Sequence, residues 1–535
     1  MSQAYIEMEH ISKRFGTVQA NDDVGLTVDR GEIVAILGEN GSGKSTLVNM
    51  LSGIYIPDSG SIAINGQKRL FKSPQDAIAA GIGMVYQHFK LIPVMNAWEN
   101  ISLGEKRRDA PSEGGQQRFR TPFLQKKKII ERIQALERRF GLSIPHTKKI
   151  YDMSVSEKQT VEILKVLYRG ASVLVLDEPT AVLTPQETAQ LFSMMRTMKA
   201  EGCGIIIITH KLQEVMEISD RVTVLRKGKS LGAVYTKDTN PRKLTELMVG
   251  GSISLEIRRE KPLIPKSPML EVRSLSLRDP EGVQIIDALS FDVFAGEILG
   301  VAGIAGSGQK ELCEIITGLR RPDSGSIRFL GENMLGLSPR GIKKKGIRLG
   351  FIPEDRLGMG LAAGMSIIDN ILLTSYDSAQ GPLIDRLKGR IQAETIVSRY
   401  AISTPSVQHI VKKLSGGNIQ KVLLGRELER DPRLLITAYP VRGLDIGASY
   451  SIYDMLNAQK KRGVGILFIG EDLDVLQELC DRIMVIHRGA LMDILYPPGA
   501  LGAPLGRSAV SKEDIGLLML GHKSESYRAA HTNQA

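Results

Sequence analysis

The chain is poor in cysteine and in aromatic residues. Its three cysteines, Cys203, Cys313 and Cys480, lie far apart and form no Cys-x-x-Cys pair, which excludes a disulfide framework and argues against a zinc site. Aromatic residues make up 5% of the sequence and Trp98 is the single tryptophan, so a stacking platform for single-stranded nucleic acid has little to build on. No apolar run approaches the roughly 18–20 residues needed to span a bilayer. The longest, Ile205–Ile208 and Val173–Leu176, have the length of strands. The opening MSQAYIEMEH has no basic start followed by an apolar stretch, so no signal peptide is expected. A reducing, cytoplasmic setting is the expectation, with any membrane role coming through a partner.

What is present is ample. The 535 residues exceed one ordinary domain. With 42% hydrophobic and 24% charged residues, the composition is that of a globular protein with sizeable cores. The net charge of +11 suits nucleic acid, an anionic membrane surface or phosphate ligands, or else a solvated basic surface. Glycine is abundant, at 54 residues, as in chains rich in turns and ligand loops.

The sequence repeats itself. GEIVAILG at Gly31–Gly38 recurs as GEILGVAG at Gly296–Gly303, and PDSGSI at Pro57–Ile62 recurs at Pro322–Ile327. SDRVTVLRKG, Ser219–Gly228, returns as CDRIMVIHRG, Cys480–Gly489. A period of about 250 residues means duplicated domains rather than a solenoid. The expected division is a first domain over 1–255, a linker over 256–268 where prolines and charges interrupt the pattern, a second domain over 269–520 and a polar tail over 521–535. Within each copy, apolar runs such as EIVAIL, VLVLDEP and GIIIITH read as buried strands. They alternate with amphipathic stretches such as PQETAQLFSMMRTMKAEG. That alternation predicts an α/β fold with a mostly parallel sheet flanked by helices. Glu105–Lys128, rich in Arg, Lys and Gln, reads as an exposed lead into a helical subdomain.

The first copy carries a nucleotide site. GENGSGKST, Gly38–Thr46, follows the run IVAIL and precedes a helix-like segment. A strand, then GxxxxGK[ST], then a helix is the context of a phosphate-binding loop. In such a loop Gly38, Glu39, Asn40, Gly41, Ser42, Gly43 and Thr46 turn backbone N–H groups toward the β and γ phosphates. The helix N-terminus adds partial positive charge. Lys44 neutralises phosphate oxygens and Ser45 is expected to ligate Mg²⁺. VLVLDEP ends a strand in two acids, with Asp177 as a magnesium ligand and Glu178 placed to polarise an attacking water. His210, ending IIIITH, can reach a γ phosphate, Gln87 in MVYQHF is weak evidence by itself, and Phe15 in SKRFG can stack on adenine, with a core phenylalanine as the default.

These motifs, with LSGGN at Leu414–Asn418 in the other copy, resemble ATP-binding cassette ATPases over nearly the whole chain. VYQHFKLIP, IPEDR, LSGGNIQK and RGLDIGA resemble a narrower group, the fused twin-cassette ATPases of ribose, galactoside and nucleoside importers. The resemblance implies two tandem P-loop nucleotide-binding domains. Each has a mostly parallel sheet core, an antiparallel β subdomain and a helical subdomain. It further implies Phe15 as the adenine-stacking aromatic, Gln87 as the switch glutamine at the metal, Glu178 as general base and His210 as γ-phosphate switch. Ser415, Gly416 and Gly417 become the signature that contacts ATP from across a head-to-tail pair of cassettes, formed within one chain or between two.

The second copy departs from the pattern. Gln309 stands where Lys44 does, Lys310 where Ser45 does, and Ala438 and Tyr439 where Asp177 and Glu178 do. Glu471 replaces His210, Glu354 replaces Gln87 and Pro280 replaces Phe15. The signatures decay in the opposite sense: copy two keeps LSGGN, whereas copy one has MSVSEKQ, with Ser156 for a glycine and Glu157 bringing negative charge. The expectation is therefore an ATP- and Mg²⁺-dependent ATPase with one competent and one degenerate site, peripheral on the cytoplasmic face of the cell membrane. Membrane permease subunits and an extracytoplasmic binding protein are its implied partners. Neither nucleic acid nor cargo is expected to touch this chain. IAGSGQKE with AYPVRGLDIGA is closer to the nucleoside branch; monosaccharide import is the alternative, and a soluble ATPase acting on ribosomes or nucleic acid a more distant one.

Overall fold

The computed structural model describes residues 4–87, 89–104, 126–181, 183–250, 257–260, 267–375, 384–498 and 510–522. Most of the basic stretch Glu105–Lys128 and nearly all of the polar tail lie outside them, as does much of the segment read as a linker. The chain divides into two compact units, Met1–Ile253 and Ser254–Ala535.

Among the described residues the first unit has ten strands: β1 Ile6–Phe15, β2 Val18–Val28, β3 Ile33–Leu37, β4 Ser59–Ile64, β5 Gln67–Arg69, β6 Ile82–Val85, β7 Val173–Asp177, β8 Gly204–Ile208, β9 Arg221–Arg226 and β10 Lys229–Tyr235. A six-stranded sheet runs in the order β10-β9-β3-β8-β7-β6. All its neighbours are parallel except β10, which pairs antiparallel at one edge. A second, antiparallel sheet has the order β2-β1-β4-β5. The central strands are apolar on both faces because helices or the other sheet cover both sides, as parallel sheets require. Ile205, Ile206, Ile207 and Ile208 are all at or below 1% exposure. Each contributes roughly 1.5–3 kcal/mol of hydrophobic stabilisation.

Helix boundaries follow local chemistry. Thr184 caps the helix Pro185–Ala200: its side chain accepts from Glu187 N while Glu187 reaches back to the Thr184 N–H, and Pro185 occupies the first turn. A helical layer built on Ala97–Ser102, Lys126–Phe140 and Val155–Tyr168 has its own small core around Trp98, Ile133 and Leu164.

The second unit repeats this plan with β11 Leu270–Arg278, β12 Gln284–Val293, β13 Ile298–Ala302, β14 Ser324–Phe329, β15 Glu332–Asn333, β16 Leu349–Ile352, β17 Leu434–Ala438, β18 Gly465–Ile469, β19 Arg482–His487 and β20 Ala490–Leu495. The sheets are β12-β11-β14-β15 and β16-β17-β18-β13-β19-β20, the same orders as in the first unit.

One difference between the copies concerns residues 257–260. They pack on the second unit: Ile257 joins its core, Arg259 donates to the carbonyls of Gln477, Glu478 and Pro498, and Asn457 Nδ2 donates to Arg258 O at 3.1 Å. Beneath them Lys460, 0% exposed, donates to Glu260 O and pairs with Asp481 at 2.6 Å. The corresponding pair of the first unit, Lys199–Asp220 at 2.5 Å, is 36% exposed at both side chains.

Candidate active site of the first unit

β3 ends at Leu37 and the chain turns through Gly38–Gly43 into the helix Lys44–Leu51. The turn is tight enough to specify glycine. Gly43 has φ +99°, and a Cβ there would lie 2.3 Å from Ala20 O. A Cβ on Gly38 would lie 2.3 Å from Leu225 O. Fully buried Asn21 donates its Nδ2 to Gly43 O at 3.3 Å and fixes the turn to β2. Lys44 is 6% exposed, and its Nζ donates to Gly38 O at 2.6 Å and Glu39 O at 2.9 Å. Burial lowers its pKa, opposed by the charges of Glu178, Asp177 and Glu39. Ser45 and Thr46 follow in the first helical turn, where N–H groups have no intrahelical partner. Loop, ammonium and helix start together form an anion cradle.

Three adjacent strands deliver the polar groups opposite. Asp177 ends β7, and Glu178 follows in a left-handed conformation, φ 46°, with its N–H donating to Ile208 O at 2.8 Å. Gln87, just past β6, donates Nε2 to Glu178 Oε2 at 2.7 Å. His210, just past β8, has Nδ1 3.0 Å from Glu178 Oε1. An ionised carboxylate only accepts, so Nδ1 carries the hydrogen in this pair. The hydrogen bond from His210 holds the Glu178 pKa below the usual carboxylate value, against burial. Asp177 moves the other way: burial and the neighbouring Glu178 charge push it up to about 6, with only Lys44 opposing. Two crowded carboxyl groups near one ammonium, with the Ser45 hydroxyl in the first helical turn after the loop, suit a hard divalent cation with oxygen ligands.

The structure thus brings together Lys44, Asp177, Glu178, Gln87 and His210. Phe15 is not a core phenylalanine: it is 42% exposed at the end of β1, edge-on to Tyr55 with ring centroids 5.2 Å apart. Tyr55 and Asn21 are supporting residues the motifs did not point to, since neither belongs to a recognisable pattern. Ser415, Gly416 and Gly417 belong to the second unit, where Ser415 sits at the start of the helix Gly416–Leu428 without a side-chain capping bond and its Oγ accepts from Asn418 Nδ2 at 2.8 Å. Their counterpart in the first unit differs from expectation. Glu157 folds back on its own helix start, accepting from Ser154 N at 2.7 Å and Lys148 Nζ at 2.8 Å, so its charge is paired.

At the matching place in the second unit, Gln309 is buried and its Nε2 donates to Ile304 O at 3.2 Å. Glu354, Tyr439 and Glu471 end the equivalent strands and gather around Arg442. Its guanidinium pairs with Glu354, lies 3.2 Å from Glu471 Oε1, and sits 5.8 Å from the Tyr439 ring centroid.

Two tandem α/β units with a lysine-bearing phosphate loop facing a Gln–Glu–His cluster define a nucleotide-binding cassette protein. The ABC transporter profile matches residues 21–181 and 286–440, and the chain belongs to that family. It is a twin-cassette ABC transporter ATPase of the ribose, nucleoside and glucose importer type. A glucose import ATP-binding protein of Haloferax volcanii is 40% identical, with 97% of this chain and 96% of that protein covered. A nucleoside import ATP-binding protein of Lactococcus lactis is 40% identical over 97% of this chain and 99% of its own. A guanosine import ATP-binding protein of Bacillus subtilis is 41% identical over 96% and 97%. Among solved structures, an archaeal ribosome recycling factor in complex with a ribosomal stalk protein matches 89% of this chain and 87% of its own, with a TM-score of 0.56 at 19% identity. That likeness concerns the fold alone. Among the described residues no helix is long and apolar enough to cross a membrane.

Proposed function

We propose that the first cassette is the hydrolytic one and that the second contributes its signature but little or no hydrolysis. The observation that carries this reading is the contrast at one strand end: Glu178 bridges Gln87 and His210, whereas Tyr439 has no carboxylate to offer. In this reading Gly38–Thr46 hold the ATP phosphates, Phe15 meets the adenine, and Ser45, Asp177 and Gln87 hold Mg²⁺. When bound, the metal neutralises phosphate charge and orients the leaving group. Both Glu178 oxygens are engaged in this arrangement. Each oxygen keeps a second lone pair, so the carboxylate can still accept from water while Gln87 and His210 fix its orientation. His210, once turned from Glu178, can donate to the γ phosphate, and Ser415, Gly416 and Gly417 complete the charge-stabilising cage as the resemblance implies. Cassette pairing, within one chain or between two, belongs to the same proposal.

The wider proposal is the energy-coupling subunit of a nucleoside importer, acting on permease subunits from the cytoplasmic face of the membrane, with an extracytoplasmic binding protein delivering cargo. Two relatives near 40% identity carry nucleoside or guanosine import in their names, which supports this choice. The glucose-importing relative at 40% keeps monosaccharides as the second reading. Uptake of labelled guanosine, ribose and glucose by cells carrying the intact gene or its Glu178→Gln form tests both. Loss of sugar uptake with nucleoside uptake intact would overturn the cargo assignment.

A further inference from the structure

The signature helix is tied to the neighbouring strand end differently in the two cassettes. In the first, Gln159 of the helix Val155–Tyr168 donates Nε2 to Pro179 O at 2.9 Å, one residue past Glu178. The equivalent Gln420, on Gly416–Leu428, is 0% exposed, and neither of its side-chain polar atoms has a hydrogen-bond partner. The bond to Pro440 that the repeat would call for is missing.

A pair of arginines stands in its place. Arg356, two residues past Glu354, donates to the backbone carbonyl of Arg442, two residues past Pro440. The same guanidinium lies against the signature: a Cβ built on Gly416 would be 3.5 Å from Arg356 Nη1 and 4.0 Å from Gly443 O. Arg442 in turn is held by Glu354 and Glu471 from the two flanking strand ends and by the Tyr439 ring below it. The first copy has Phe89 and Ala181 at these positions and can build no such network. Its signature is the one that lacks the glycines.

Single ion pairs this exposed contribute little to stability. A guanidinium fork bound from two sides nonetheless fixes direction well. We propose that Arg442 and Arg356 are positioning residues that hold the signature Ser415–Gly417 in its working orientation without nucleotide in the second cassette. This rests on the reading of Ser415–Gly417 as groups that act on ATP.

The test uses the full chain. Arg442→Ala is expected to lower kcat for Mg-ATP about tenfold, the scale of a small misplacement, with KM within about twofold of the parent. Hydrogen exchange should quicken at Met359, Gly360, Leu361 and Leu444, whose amides bond within the two tied segments. Arg442→Ala/Glu354→Gln/Glu471→Gln removes the two carboxylate charges that faced Arg442; melting temperature should stay close to the parent while kcat stays low. Arg356→Met should lower kcat alike, and serves if Arg442→Ala does not fold. An unchanged kcat in Arg442→Ala, its return in the triple variant, or unchanged exchange would each overturn the proposal. Glu178→Gln run in parallel separates the two readings: turnover retained there sinks the hydrolysis assignment, while the exchange data still judge the positioning.

Discussion

Glu178 and Tyr439 share one backbone conformation: φ is 46° and 50°, and their N–H groups donate to Ile208 O at 2.8 Å and Ile469 O at 2.9 Å. A left-handed residue other than glycine costs roughly 1–2 kcal/mol. The second cassette therefore has the same strained strand end with a tyrosine where the first has the acid. Glu178→Gln should lower phosphate release by at least about 10²-fold, the usual worth of a general base, with ATP binding retained. Tyr439→Phe should leave steady-state release within about twofold of the parent. Normal turnover in the first variant, or its loss in the second, would refute the assignment of roles.

Lys44 is an ammonium kept nearly dry on two loop carbonyls. Lys44→Met should weaken ATP binding about 10- to 100-fold, the worth of a charge-assisted hydrogen bond. Melting temperature without nucleotide should fall, because Gly38 O and Glu39 O lose their donor and Asp177 loses the charge that opposes its crowding. Fluorescent-nucleotide titration and a thermal melt read the two effects separately.

Asp177 is crowded by burial and by the Glu178 charge. Asp177→Asn at neutral pH should therefore not destabilise the nucleotide-free protein, and should abolish magnesium-dependent hydrolysis. A clear drop in melting temperature would show that the carboxylate is structural.

The paired lysines make a controlled comparison. Lys460→Met leaves Asp481 buried without its partner and should cost about 3–5 kcal/mol. Lys199→Met breaks the same pair in a half-exposed setting and should cost no more than about 1 kcal/mol. Denaturant titration that resolves the two units would check both values.

The strands and the phosphate loop were readable because their causes are local. IVAIL, VLVLD and GIIII are continuous apolar runs that a doubly covered sheet buries, and Gly43 is favoured by the left-handed φ of +99° of its own turn, although the clash a Cβ would meet there is with Ala20 O on the distant β2. Phe15 was ambiguous, since exposure depends on what the rest of the fold brings to it. Glu157 looked like a free negative charge, and only folding shows Lys148 reaching it across a bend. The Arg442 cluster was invisible for a similar reason: its partners lie 88 positions back and 29 ahead, and sheet order alone makes them neighbours.

The strap formed by residues 257–260 decides where this chain can be severed. A second half begun at Ser254 carries Arg259 and Glu260 with it, so its buried lysine stays covered. Begun at Ser267, just before the repeat resumes, the same half would leave Lys460 facing solvent and the carbonyls of Gln477 and Glu478 without their donor. The point at which homology restarts is thus a poorer place to cut than the point at which packing does.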